Sequence, residues 1–150
     1  MPQSLSLVAI HVIFSTKGRS PCLEKDMRIR LHAYLATVAR NVDCEAYRVG
    51  GVADHVHLAL RLSRTATIAE LVQTLKTSSS KWLKQQATGL GGFAWQRGYG
   101  CFSVGPKDVP KLCEYVETQE ERHRTKSFQE EFRELLQRYG VTYDEAYVWD

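Results

Sequence analysis

A chain of 150 residues, 43% hydrophobic and 25% charged, is long enough for one domain with a substantial core, and this composition excludes a low-complexity or disordered segment as its main character. The formal charge of +3 and the pI near 8.7 are compatible with a polyanionic partner but do not single one out. No run reaches the roughly 18 apolar residues of a membrane span, "MPQSLSLVAIHVIF" lacks the basic region of a signal peptide, and Cys22, Cys44, Cys101 and Cys113 form no C-x-x-C pair. The expectation is a cytoplasmic protein with reduced thiols and no membrane partner.

Residues 5 to 15, "LSLVAIHVIFS", alternate with Val8, Ile10, Val12 and Phe14 on one face, which predicts a first strand with His11 on the opposite face. "STKGRSP" breaks it, and Met27, Leu31, Tyr34, Leu35 and Val38 then recur at helical spacing within residues 24 to 41. Residues 44 to 50 and 55 to 62 predict two antiparallel strands joined through the tight "GGVAD" stretch. In the second of these, Val56, Leu58 and Leu60 share one face while His55, His57 and Ala59 share the other. Neighbouring imidazoles on one strand face need partners for their nitrogens; a divalent metal satisfies them, and so does a hydrogen-bonded histidine pair.

A long helix is predicted from Thr67 to about Gln86, with Ile68, Leu71, Val72, Leu75, Ser79, Trp82 and Leu83 on its apolar stripe and Thr67 and Glu70 forming a cap pattern. Lys76, Ser80 and Lys84 form an i, i+4 row away from that stripe, with Lys81 beside them. Together with Lys17, Arg19 and Arg97 they are candidate nucleic-acid contacts, each against the plainer reading of a solvated charged face. The glycine-rich "ATGLGGFAWQRG" reads as loop, where Trp95 either stacks on a base or closes the core, and "YGCFSV" alternates as a fourth strand. A third helix is predicted over residues 106 to 122, and a final one starts at Ser127 and stops before Gly140. On the third helix Tyr115 and Gln119 lie one turn apart, about 6 Å along the axis. His32 reads as structural, and His123 carries no clear role.

The order β-α-β-β-α-β predicts an α+β fold, a ferredoxin-like split sheet with helices on one face, extended by a C-terminal tyrosine-bearing helix and a tail helix. The first and third strands are central, so His11, His55 and His57 are expected mid-sheet on the face those helices leave open. The whole of 1–150 reads as one domain, with a core over about 5–104, the tyrosine helix over about 106–122 and the C-terminal helix and tail over 127–150.

With His55-Val56-His57 and Tyr115-x-x-x-Gln119 read together, the chain resembles the single-tyrosine HUH transposases of the insertion-sequence class, close to the REP-associated tyrosine transposases. "HVIFSTKGR", "GGVADHVHLAL", "LKTSSSKWLK", "WQRGYGCFSV" and "QEERHRTKSFQEEF" carry the likeness in order over nearly the whole length. Thr118 stands where that pattern usually has asparagine, and Arg122-His123 where it usually has paired histidines. The resemblance implies that His55, His57 and Gln119 hold Mg²⁺ or Mn²⁺, with His11 near the site. Tyr115 would then attack single-stranded DNA at hairpin-containing element ends, leaving a 5′-phosphotyrosine and a free 3′-hydroxyl for strand transfer. It also implies a homodimer, in such families often with the tyrosine of one subunit set against the histidines of the other, although some repeat-associated relatives act as monomers, so cis and trans assembly both stay open. Three other readings compete: a non-catalytic single-stranded RNA or DNA binder of the same fold, a domesticated processor of repeated palindromic DNA, and a metal-dependent hydrolase without a covalent step.

Overall fold

In the computed structural model, which describes residues 1–150, strands β1 (Ala9–Ser15), β2 (Glu45–Val52), β3 (His55–Arg61) and β4 (Gly100–Val104) form one antiparallel sheet in the order β2-β3-β1-β4. The first and third strands are central, as the split plan requires. Helices α1 (Lys25–Asn41) and α2 (Ile68–Gln86) cover the face that carries Ile10, Val12, Phe14, Val56, Leu58 and Leu60. The predicted stripes are the buried ones: Met27, Leu31, Leu35 and Val38 on α1, and Leu71, Val72, Leu75 and Leu83 on α2. Thr67 caps α2 by accepting a hydrogen bond from the Glu70 amide at 3.1 Å. Trp95 belongs to this core, edge-on to Phe14 and Phe93, and its indole N–H donates to Ser79 at 2.9 Å.

β1 begins at Ala9 rather than residue 5: Ala9 pairs with Arg61 and Val104, the last residues of β3 and β4, and beyond it the Leu62 amide still donates to the Val8 carbonyl at 2.7 Å. The predicted helix over 106–122 is interrupted. A 3₁₀ turn (Pro106–Asp108) leads into α3 (Val109–Glu117), and a short α4 (Gln119–Arg122) follows. At Thr118 both the amide and the hydroxyl turn back to the Glu114 carbonyl, at 3.1 and 3.0 Å, and the backbone leaves the helical region. α5 (Phe128–Arg138) is capped by Ser127, which accepts from the Glu130 amide at 3.1 Å.

The sheet face expected to stay open is closed. α3, α4 and α5 lie over it, and a second core forms there from Ile13, Phe102, Phe128, Phe132, Leu135 and Leu136. Each large side chain so buried is worth about 1.5–3 kcal/mol, which suffices to hold a helix that has little stability alone. Two glycines in the sheet make room for the cover. A Cβ on Gly50 would lie 2.4 Å from the Val116 carbonyl oxygen, and one on Gly100 would lie 2.5 Å from the Phe132 ring. Tyr143, Val148 and Trp149 of the tail pack on the same core, so "VTYDEAYVWD" is covered by its own chain.

Candidate active site

β3 carries His55 and His57 into the layer between the sheet and the C-terminal helices, where both are fully buried. Strand pairing sets His57 between Gly50 and Ile13, and His11 is two residues further along β1 on the same face. The ligand atoms of His55, His57, His123 and Glu131 all lie within 4.8 Å of one another. At the centre is Glu131 Oε1, which is 3.0 Å from His57 Nε2, 3.1 Å from His123 Nε2 and 3.4 Å from His55 Nε2. Its other oxygen, Oε2, accepts a hydrogen bond from the Tyr115 hydroxyl.

The outward nitrogen of each imidazole is held from behind. His55 Nδ1 bonds the Asp54 carboxylate at 2.7 Å, His57 Nδ1 faces His11 Nε2 at 2.7 Å, and His123 Nδ1 donates to the Lys126 carbonyl at 2.6 Å. All three Nε2 atoms are thereby aimed at one region, the arrangement by which outer partners orient metal-binding imidazoles. His55 Nε2 is buried without a hydrogen-bond partner. Separations of 3.0–3.4 Å between Glu131 Oε1 and the three nitrogens match the edges of a six-coordinate site, about 3 Å for bonds of about 2.1 Å. The donor set therefore fits a divalent cation.

Burial and charge act against each other in this cluster. Burial pushes His57 down to about 4 even beside Glu131, and it pushes His11 down to about 3 with help from His57. For His55 burial is outweighed by its hydrogen bond to Asp54 and by the nearby Glu131 carboxylate, which raise it above the usual range. Burial also favours the neutral form of Glu131, but the three imidazoles around its Oε1 prevail and hold it ionised. Tyr115 is raised, by burial first and then by the neighbouring Glu131 charge, whereas the Arg122 guanidinium, 4.1 Å above its ring centre, works the other way.

Of the residues singled out from sequence, Tyr115, His55, His57 and His11 come together, with the Tyr115 and His57 ring centres 5.5 Å apart. Tyr115 stands over the histidines of its own chain, on the α3–α5 layer that covers the sheet. Gln119 is adjacent: its Oε1 lies 2.9 Å from His123 Nε2, while its amide donates to the Tyr115 carbonyl. Glu131 was missed, and His123 was left without a role. The signal for Glu131 was its position among Phe128, Phe132 and Leu135 on the apolar stripe of α5, a place where a carboxylate needs a reason.

The expected nucleic-acid contacts lie elsewhere and separate into two kinds. Ser80, Lys81, Lys84 and Arg97 line a groove between α2 and the loop before β4, and Lys17 and Arg19 line a second one beside Trp149. Lys76 lines the first groove too, and its ammonium donates to the carbonyls of Gln96, Arg97 and Gly98 at 2.7, 3.2 and 2.5 Å, so it also fastens that loop. No helix is long and apolar enough to cross a membrane.

The family described as "Transposase IS200 like" matches residues 4–119, more than half of the chain. His123 and Glu131 lie beyond the end of that match. A candidate transposase from Deinococcus radiodurans R1 has a similar fold, with TM-score 0.62 and 23% identity over 79% of this chain and 98% of that one. A REP-associated tyrosine transposase bound to a REP hairpin is also similar, with TM-score 0.59 and 15% identity over 82% of this chain and 74% of that one. Among curated proteins none matches the chain. With a split sheet carrying a histidine pair, a tyrosine helix above it and a family match over most of its length, the chain belongs to the IS200-like transposases.

Proposed function

We propose that this transposase is a metal-dependent single-stranded DNA endonuclease and strand transferase acting through a 5′-phosphotyrosine. The observation that carries the reading is the joint placement of the Tyr115 hydroxyl, three converging imidazoles and one buried carboxylate in a single cluster. His55, His57 and Glu131 would hold the cation, with His123 and Gln119 beside them. An imidazole-rich set suits Mn²⁺ better than Mg²⁺. When bound, the cation would polarise the scissile phosphate and offset the charge on the leaving oxygen.

The side chains account for the remaining steps. Tyr115 Oη bonds to phosphorus, the bond from phosphorus to the 3′ oxygen breaks, and the phenolic proton passes to Glu131 Oε2, which already accepts it as a hydrogen bond. The released 3′ oxygen takes a proton from water. Arg122, stacked on the phenol ring, favours the developing negative charge on Tyr115. Reversal by the 3′-hydroxyl of another strand rejoins DNA without ATP, because the phosphodiester energy is kept in the tyrosine linkage.

In this reading hairpin-containing ends of a small mobile element are the substrate, the grooves along α2 and beside Trp149 hold flanking DNA, and the protein works in the cytoplasm. Each active site is assembled in cis, so a homodimer would carry two separate sites. The helices cover the histidine face, so the central strands offer no open sheet surface for a row of stacked bases, which counts against a non-catalytic binder. The test is incubation with Mn²⁺ and labelled single strands from the DNA flanking the gene. A covalent complex on a denaturing gel, lost in Tyr115→Phe, is the expected result; an undiminished complex in that variant overturns the assignment.

A further inference from the structure

Beside the histidine cluster, a cavity of about 410 Å³ lined by His11 and Tyr115 opens to solvent. That size is within the range of about 300–1,000 Å³ typical of small-ligand clefts, enough for one unpaired nucleotide. Its inner wall is His11 and Tyr115, so whatever enters lies against the nucleophile. The single carboxylate lining the cavity is that of Asp108, and beside it Lys111, from the helix of Tyr115, and Arg138, from the last turn of α5, stand at the exposed margin. Neither takes part in an ion pair, although most other arginines around the site are paired: Arg28, Arg48, Arg122 and Arg133 each face a carboxylate. Tyr139 completes the wall. One face of its ring is stacked on Phe102, with centroids 4.7 Å apart and planes 18° from parallel, yet 42% of the residue remains exposed. An aromatic ring fixed on one side and open on the other is what base stacking uses, and unpaired cations within reach of it are what a phosphate backbone uses.

We infer that this cavity is a nucleotide subsite, in which a base adjoining the scissile phosphate stacks on Tyr139 while Lys111 and Arg138 take the phosphates on either side. The inference rests on the proposed cleavage of single-stranded DNA. It adds residues that the histidine and tyrosine motifs do not indicate, and it gives the strand a direction of entry, along the seam between α3 and α5.

Two measurements test it without requiring turnover. In the first, a fluorescein-labelled 20-nucleotide single strand of random sequence is titrated by anisotropy at several salt concentrations against Tyr115→Phe protein, and then against the same protein carrying Lys111→Gln and Arg138→Gln. Removing two phosphate contacts should weaken binding at least tenfold at 0.15 M salt and flatten the slope of log K against log salt by about 1.4. Both residues are exposed and unpaired, so the melting temperature should stay unchanged, and calorimetry checks that. In the second, an oligothymidylate containing 5-iododeoxyuridine is irradiated with the protein, and the cross-linked peptide found by mass spectrometry should contain Tyr139. Unchanged affinity and slope in the charge variant overturns the subsite, as does absence of saturable binding by the parent or cross-linking confined to α2 and residues 95–99. Adduct formation by the otherwise wild-type chain is scored separately. If the adduct forms while the charge variant binds normally, the subsite fails and the cleavage reading stands; the converse result separates them the other way.

Discussion

Replacing Glu131 by glutamine keeps the shape of the side chain and removes its charge, so Glu131→Gln isolates what the carboxylate does at the focus of the three imidazoles. At free Mn²⁺ a hundred times the parent's dissociation constant, binding to the folded state alone adds about 2.7 kcal/mol. For a chain of this length about 1 kcal/mol corresponds to about 2–4 °C, so the parent should melt about 5–11 °C higher with Mn²⁺ than with EDTA. Loss of the anionic oxygen 3.0–3.4 Å from the three Nε2 atoms should weaken metal binding by at least the about 10–100-fold seen when groups around a metal site are altered. The same Mn²⁺ then contributes about 1.4 to 0.4 kcal/mol, and the shift shrinks to about 1–6 °C. Each protein's own EDTA melt is its baseline, which removes the effect of deleting a buried charge. Differential scanning calorimetry reads the shift, and Gln119→Ala, whose amide is a neutral donor at the edge of the cluster, should lose less. A Mn²⁺ shift in Glu131→Gln within 1 °C of the parent, with unchanged adduct yield, would refute the reasoning.

Gly50→Ala places a Cβ 2.4 Å from the Val116 carbonyl oxygen, which is backbone and cannot swing away; it should cost about 1–3 kcal/mol and reduce adduct formation. Gly89→Ala, with nothing within 4 Å, should leave the melt unchanged, and equal melts for the two would contradict the packing. With each site assembled in cis as proposed, mixing Tyr115→Phe with His57→Gln chains should yield no adduct above either alone; recovery after verified subunit exchange would show assembly in trans. His11 and His57 are held down by burial at about 3 and about 4, so the unfolded chain binds more protons below the ordinary value of 6.5. Stability in EDTA should therefore fall as pH drops from 6.5 towards 4. The Mn²⁺ shift should fall over the same range, because the metal needs neutral imidazoles, and the raised pKa of His55 should keep it rising above pH 6.5. A Mn²⁺ shift that is flat from pH 5 to 8 would be inconsistent with histidine ligation.

The sheet and its first cover were legible because one periodicity governs each element. Val12, Phe14, Leu58 and Leu60 alternate, and Leu31, Leu35, Leu75 and Leu83 recur by turns. The second cover was written in the same code and is harder to read. Ile13 shares the parity of His11, and Phe102 pairs with His11 across β1 and β4, so two apolar side chains occupy the face expected to be open. Phe128, Phe132, Leu135 and Leu136 form the complementary stripe on α5. The histidine pair and Tyr115 stood out because their spacing is local. The central place of Glu131 depends on how α5 crosses the sheet, and the capture of Lys76 depends on where the carbonyls of residues 96–98 fall. Neither is a property of any short stretch.

α5 joins the two parts of the site. Glu131 and Arg138 lie seven residues apart, about 10.5 Å along the axis and about 20° apart around it, so one face of one helix presents a carboxylate to the histidine cluster and a guanidinium to the cavity beside Tyr115. Leu135, between them, lines the cavity and belongs to the second core. A helix selected only to cover the sheet would carry a leucine at position 131, because a buried ion pair is often no more stable than well-packed apolar residues of similar volume. On the proposed mechanism, a carboxylate there, bonded to the tyrosine and ringed by imidazoles, makes the cover part of the chemistry. The same argument explains why α5 packs so closely: with Gly100 admitting Phe132 against the sheet, the helix is rigidly seated, and the hydrogen bond from Tyr115 to Glu131 fixes the nucleophile relative to the histidines.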